Sequence, residues 1–177
     1  VAVLLHLAEI LAQHPPPVGV DIVLFDGEDY GREHDEAMFC IGSKYFAATI
    51  PTDYRPSFGI LLDLVGDSAA VFPQEEFSIR YANDILRMVW SAATSLGIPN
   101  FRVVKHDPIF DDHVPLNTTA CIRTINIIDA ELVGQKAENP RRKYWHTLHD
   151  TPSQCSPLTL ERVGRVLLHL LMGLRPA

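Results

Sequence analysis

The sequence begins with apolar positions at helical spacing, residues 1–13 being apolar nearly all round except for a narrow stripe of His6, Glu9 and Gln13. That pattern predicts a largely buried helix, stopped by Pro15, Pro16 and Pro17. Val20 to Phe25 follows as a short apolar run without alternation, the pattern of a central strand covered on both faces. It runs into an acidic turn, Asp26-Gly27-Glu28-Asp29. A helix is expected from about Ala37 to Thr49. Phe58 to Val65 reads as a second buried strand, ending on acid at Asp63 and Asp67. Ala69 to Phe72 is expected as a short antiparallel strand beside it.

Glu75 to Leu96 is a long amphipathic pattern with Phe77, Tyr81, Ile85, Met88, Val89 and Ala92 on its inner face, closed by Gly97-Ile98-Pro99-Asn100. Phe101 to Lys105 and Cys121 to Ile128 read as further strands, with the polar loop Phe110-Asp111-Asp112-His113 between them. Pro140 to Ser156 is irregular. A last helix follows, with Ser156 as N-cap, Pro157 at its first position and an apolar face through Val163, Val166, Leu167, Leu170, Leu171 and Leu174. Helices alternating with buried strands predict an α/β fold, a three-layer αβα sandwich with a mixed, mostly parallel sheet. No linker, repeat or low-complexity segment divides the 177 residues.

Charge narrows the choice of partners. There are 15 Lys+Arg against 22 Asp+Glu, and Arg141-Arg142-Lys143 is the only basic cluster, which speaks against a nucleic-acid groove or an anionic-membrane surface. No apolar stretch reaches transmembrane length, because His6, Glu9, Arg162 and Arg165 interrupt the two best candidates. Cys40, Cys121 and Cys155 have unrelated spacings, so neither a disulfide framework nor a zinc knuckle is indicated, and packed thiols are expected.

Candidate chemistry collects where the predicted strands end. In open α/β sheets, sites form beyond the carboxyl ends of the strands. There the sequence places Glu28 and Asp29, then Asp63, then Asp111, Asp112 and His113, then Asp129 and Tyr144-Trp145-His146-Thr147. A single acid at a strand end is ordinarily a solvated turn former. Carboxylates and histidines converging on one edge could hold a metal, since carboxylate oxygen and imidazole nitrogen both bind zinc. Adjacent carboxylates such as Glu28 and Asp29 can divide roles, one binding metal and one carrying protons.

Four ordered segments carry a family resemblance: Leu24-Phe25-Asp26-Gly27-Glu28-Asp29-Tyr30-Gly31, Leu61-Leu62-Asp63-Leu64-Val65-Gly66, Asp111-Asp112-His113-Val114-Pro115 and Tyr144-Trp145-His146-Thr147, the last followed by Asp150-Thr151-Pro152. In order and spacing they resemble the M28 family of zinc-dependent peptidases. Within that superfamily, Trp145 before His146, the doubled acid before His113, the run around Asp63 and Gly42-Ser43-Lys44-Tyr45-Phe46-Ala47 look like the glutaminyl-peptide cyclotransferase (glutaminyl cyclase) branch.

The resemblance implies roles. Glu28 is the general base and acid, Asp29 and His146 are zinc ligands, and Asp111 is a catalytic carboxylate beside the substrate. Asp63 is a second-metal ligand in a dinuclear peptidase, or a non-ligating catalytic carboxylate in a single-zinc cyclase. Trp145, His113 and Asp112 belong to the substrate pocket, while His149 is expected on the loop surface. One zinc ion is implied for a cyclase and two for an aminopeptidase. The substrates are peptide or protein N-termini, and an extracytoplasmic or secreted enzyme is the expected setting.

Two departures follow. Asp29 stands where many members carry Glu, a shorter arm to the metal. The family's remaining metal-binding His and Asp are expected upstream of Val1, so residues 1–177 are read as the C-terminal part of a single M28-type catalytic domain, inactive alone. Three functions are consistent with the residues: glutaminyl cyclisation with ammonia release, hydrolysis of the N-terminal peptide bond, or a non-catalytic binding module.

Overall fold

The computed structural model describes residues 1–32, 35–133 and 144–175. The Arg141-Arg142-Lys143 cluster, His34 and the start of the irregular segment at Pro140 lie outside the described residues. Five helices and four strands are present among them: α1 (Ala2–Gln13), α2 (Ile41–Thr49), β1 (Gly59–Asp63), β2 (Phe72–Glu75), α3 (Glu76–Ser95), β3 (Phe101–His106), α4 (His113–Thr118), β4 (Thr124–Ile128) and α5 (Pro157–Gly173).

The long helices form for the reasons legible in their sequences. Ser156 accepts a hydrogen bond from the Thr159 N–H, and Pro157 takes the first position of α5, where its missing N–H costs nothing. Val163, Val166, Leu167 and Leu170 are the buried stripe. At the start of α3 the Glu75 carboxylate caps the Phe77 and Ser78 N–H groups. At its end Gly97 adopts φ +65°, so that its N–H reaches Thr94 O and the Ile98 N–H reaches Ala93 O, both at 3.0 Å. A residue with a Cβ would be strained in that left-handed position. The buried face of α3 is Ser78, Ala82, Ile85, Leu86, Val89, Trp90, Ala92 and Ala93; of the expected stripe Ile85, Val89 and Ala92 are buried, while Phe77, Tyr81 and Met88 are half-buried. Trp90 reaches the β3 side of the core, where its indole N–H donates to Arg102 O at 3.1 Å. Each large apolar side chain sealed there contributes roughly 1.5–3 kcal/mol.

The strands pair in parallel. β1 lies against β4 with Gly59 opposite Thr124 and Asp63 opposite Ile128. β2 lies against β3 with Phe72 opposite Phe101 and a register shift before Gln74. The two pairs are separate two-stranded sheets, with β2 packed beside β4; α3 packs on β2, β3 and β4, α5 packs against α3 and α1, and α2 and α4 pack together. The α/β class with parallel pairing is as expected. Residues 69–72, expected to pair antiparallel beside β1, lead into β2, which pairs with β3 instead. The anchor is the Phe72 N–H bonded to Asn100 O at 2.8 Å, reinforced by Asn100 Nδ2 donating to Ala70 O.

Three further expectations change. The helix expected over residues 37–49 is a short 3₁₀ turn at Glu36–Met38 followed by α2, because Cys40 sits between them at φ 54°. Helix α1 buries only Val3 and Leu7, since α5 covers one face and Leu5 is left exposed. Residues 20–25 form no strand, and Val23 and Leu24 are exposed.

Candidate active site

The first acidic pair is positioned by the start of α2. The N–H groups of Cys40, Ile41 and Gly42 donate to the carbonyls of Glu28, Gly27 and Asp26 at 2.8, 3.2 and 2.9 Å. A helix N-terminus has such donors free, and here they grip the turn that carries the acids. The approach is close enough that a Cβ on Gly42 would lie 2.4 Å from Asp26 O, so this position needs glycine.

Glu28 is half-buried, and its carboxyl is pushed up to about 8, first by burial and then by the charges of Asp29, Asp111 and Asp63. Burial likewise raises Asp63 to about 6 and Asp111 to about 7. Asp63 leaves the end of β1 with one oxygen accepting the Leu64 N–H at 2.9 Å. Asp111 is almost fully buried: one oxygen accepts the Asp112 N–H at 2.6 Å, the other the Asn126 side-chain amide at 2.6 Å. The Cys40 thiol faces Glu28 Oε1 at 4.0 Å and is pushed upward by burial and by Asp112, Asp111 and Glu28, which keeps it protonated and unreactive.

Across the mouth, His146 Nε2 lies 3.0 Å from Asp29 Oδ2. His146 has φ 56°, and its ring is stacked on the Trp145 indole with centroids 4.0 Å apart. Tyr144, buried just before them, donates its hydroxyl to Asp67. The expected ligands Asp29 and His146 are therefore brought together, with Trp145 as the wall behind the histidine. His149 is exposed, as expected for a loop-surface residue.

Asp112 and His113, expected on the pocket wall, are buried. Burial also raises the Asp112 carboxyl, although the Ser43 hydroxyl donates to it at 2.5 Å. His113 Nε2 lies 3.1 Å from Glu75 Oε1, with both side chains fully enclosed. These two residues hold the Asp111 loop to α2 and α3.

Sequence reading passed over Ser43, Glu75 and Asn126 as supports of the site, and Cys40 as a neighbour of Glu28. Asn126 left a signal: one amide among the isoleucines of β4 requires a buried partner, which proves to be Asp111.

The donor set fits a divalent cation. An imidazole nitrogen and a carboxylate oxygen face one another, and the carboxyls of Glu28, Asp63 and Asp111 crowd one another nearby, a mutual repulsion that a bound cation would relieve. Among the described residues, the one group of three donors that lie close to one another is Glu28, Cys40 and Asp111, whose thiol is held protonated by burial and the neighbouring acids. Asp29 and His146 are the pair suited to zinc, and two protein ligands are fewer than the three or four zinc ordinarily takes.

Residues 1–171 match Peptidase family M28. The chain belongs to that family. No curated protein matches the sequence significantly. Among solved structures, the M28 chain is similar to Bacteroides thetaiotaomicron glutaminyl cyclase bound to N-acetylhistamine, with 36% identity and a TM-score of 0.88 over 98% of this chain and 60% of that one. It is also similar to a leucine aminopeptidase precursor from Bacteroides thetaiotaomicron, with 35% identity and a TM-score of 0.86 over 98% and 59%. Porphyromonas gingivalis glutaminyl cyclase gives 34% identity and a TM-score of 0.85 over 96% and 61%. The chain thus spans about three-fifths of these relatives. These likenesses extend to the zinc-exopeptidase fold, and no described helix is long and apolar enough to cross a membrane.

Proposed function

We propose that this chain is the C-terminal part of an M28 catalytic domain that converts N-terminal glutamine of peptides to pyroglutamate with release of ammonia. The observation that carries the reading is the Trp145 indole stacked on His146, itself 3.0 Å from Asp29. This flat apolar wall beside a ligand pair suits a glutaminyl side chain folded back on its own α-amine. Attacking and attacked atoms belong to one residue, so holding them at near-attack distance is much of the catalysis.

Asp29 and His146 would hold a zinc ion. When bound, that ion supplies Lewis-acid polarisation of the glutamine γ-carbonyl. Glu28 carries the proton. Its carboxyl, raised to about 8 by burial and neighbouring acids, exchanges a proton close to neutral pH, where a general base and acid works best. The α-amine nitrogen bonds to the carbonyl carbon of the side-chain amide (Cδ), and the bond from that carbon to the amide nitrogen breaks. Glu28 takes a proton from the attacking amine and returns it to the departing ammonia. Asp111, fixed by Asn126 and the Asp112 N–H, presents a carboxyl oxygen edge near Glu28. Asp63 is read as a carboxylate that does not bind metal in this reaction. An extracytoplasmic enzyme is part of the reading.

The second reading, an aminopeptidase, is favoured by the similarity to the leucine aminopeptidase precursor. There Glu28 would activate water against the first peptide bond and Asp63 would hold a second ion. Trp145→Leu in the longer polypeptide separates the readings. A cyclase should keep its zinc content and unfolding temperature yet lose most ammonia release from glutaminyl peptides. Unchanged ammonia release would remove the role given to Trp145.

A further inference from the structure

We infer that Asp67 and Tyr144 are positioning residues: the hydrogen bond between them holds His146 where it meets Asp29, and so sets the affinity of that pair for zinc. The inference rests on the reading of Asp29 and His146 as zinc ligands and is independent of which reaction follows.

His146 is the third residue of a tight turn. The Thr147 N–H donates to Tyr144 O at 3.0 Å, which makes Trp145 and His146 the two central residues. The second of these has φ 56°, a left-handed conformation that such turns ordinarily give to glycine or asparagine. A side chain with a Cβ is strained there, and the conformation persists only where the surroundings hold it. The turn closes on Tyr144, whose carbonyl also accepts the Thr147 hydroxyl at 2.7 Å. A second turn follows directly, with the Asp150 N–H bonded to Thr147 O at 3.1 Å. The orientation of His146 therefore follows the placement of Tyr144.

What places Tyr144 is Asp67. The tyrosine is buried, and a buried phenol requires a partner for its hydroxyl. It donates to Asp67 Oδ2, while Oδ1 of the same carboxylate accepts the Ala69 N–H at 2.7 Å. The Asp67 carbonyl accepts the Ala70 N–H at 3.1 Å. Asp67 is thus fixed by its own turn and presents its second oxygen to the phenol. It follows closely on Asp63, with Leu64 between them in the left-handed region at φ 48°. The segments that carry Asp63 and His146 are registered on one another at this point.

The far end of the histidine loop is tied to the same place. The Ser156 N–H donates to Gly66 O at 2.7 Å, and Cys155 forms an antiparallel bridge with Asp67. A Cβ on Gly66 would lie 2.9 Å from Cys155 Sγ, so the approach is close. Residues 144–156 are therefore a loop closed at both ends on Gly66-Asp67. The rear tie is made by backbone and survives loss of the phenol hydroxyl, whereas the front tie, next to His146, depends on one side-chain bond. Groups that orient a metal ligand without touching the metal typically change its affinity by about 10–100-fold when removed.

The test measures the zinc affinity of the longer polypeptide by competition with a chromophoric chelator, and the unfolding temperature of the zinc-free protein. Tyr144→Phe and Asp67→Ala should each weaken zinc binding by about 10–100-fold. The double variant should lie within about twofold of the weaker single variant, because both remove one bond. Asp67→Asn keeps an acceptor oxygen and should stay within about threefold of wild type. Zinc-free Tyr144→Phe should unfold no more than about 4 °C below wild type. His146→Ala is the control for the ligand reading. If it binds zinc as wild type does, His146 is no ligand and the inference falls with that reading. If it loses zinc while Tyr144→Phe binds normally, the ligand reading stands and the inference alone is overturned. Additive losses in the double variant, or a loss in Asp67→Asn as large as in Asp67→Ala, would also contradict it. So would weakened zinc accompanied by a fall of more than about 10 °C in Tyr144→Phe, which would mark a general loss of structure.

Discussion

β1 and β4 are hydrogen-bonded neighbours of equal length and similar apolar content, yet they meet different surroundings. Every residue of β4 is buried, whereas every residue of β1 is half-buried. β4 has β1 on one side, β2 on the other and α3 packed over it. β1 has β4 on one side and, on the other, an open gap whose far wall is residues 21–25. An apolar, non-alternating run states how much burial a segment requires, and its neighbours decide whether that requirement is met. The closed half of the molecule holds the core; the open half carries Glu28, Asp29 and Asp63 at the ends of its two walls.

The largest expected effect falls on the open half, at Glu28. In the longer polypeptide Glu28→Gln should retain zinc and lower turnover by about 10²–10⁴-fold, the range of general acid–base catalysis. Metal analysis alongside the assay checks it. Loss of zinc together with activity would exchange the roles of Glu28 and Asp29.

In the closed half, Trp90 is 2% exposed between α3 and β3 and stacks edge-on against Phe101. Trp90→Ala should cost about 3–5 kcal/mol in urea unfolding of the 177-residue chain. A loss below about 1 kcal/mol would show that this side is no better packed than the other.

A smaller effect comes from the buried Glu75–His113 pair. Burial alone would raise the Glu75 carboxyl, but the hydrogen bond and charge of His113 and the Ser78 N–H outweigh it and hold the group below its ordinary 4.5. A carboxyl lowered by folding contributes stability that is present above its unfolded value and lost as the pH falls through and below it. Wild type should therefore lose urea resistance below about pH 4.5, and Glu75→Gln should flatten that part of the profile. Identical profiles for the two proteins would remove Glu75 from the account.

The smallest effect is expected on the gap wall. Leu24 is 54% exposed, and Leu24→Ser should change the stability of the 177-residue chain by no more than about 0.5 kcal/mol. A cost of about 2 kcal/mol would mean that residues 20–25 are already packed.

These contrasts explain what was legible in the sequence. Ser156-Pro157 and the stripe of α5 could be read because cap chemistry and helical period are local. The acids at the strand ends could be read because the turn residues sit directly behind apolar runs. The break at Cys40 could not, since a left-handed residue between two helical turns leaves no mark in a hydrophobic pattern. The pairing of β2 with β3 depends on Asn100 and its carbonyl, a contact across the fold. Residues 20–25 have the sequence of a central strand and lack the partners that would make them one. The partners that hold Asp112 and His113, Ser43 and Glu75, come from distant segments and left no local mark.

The central claim is a reaction that closes a ring without cutting the chain, and mass spectrometry of its product tests that most directly. A peptide with N-terminal glutamine is incubated with the zinc-loaded longer polypeptide, and the peptide product and released small molecules are both identified. The account predicts a peptide that keeps all its residues and has lost one molecule of ammonia. A peptide shortened by one residue, with free glutamine in solution, would contradict it and make the enzyme an aminopeptidase.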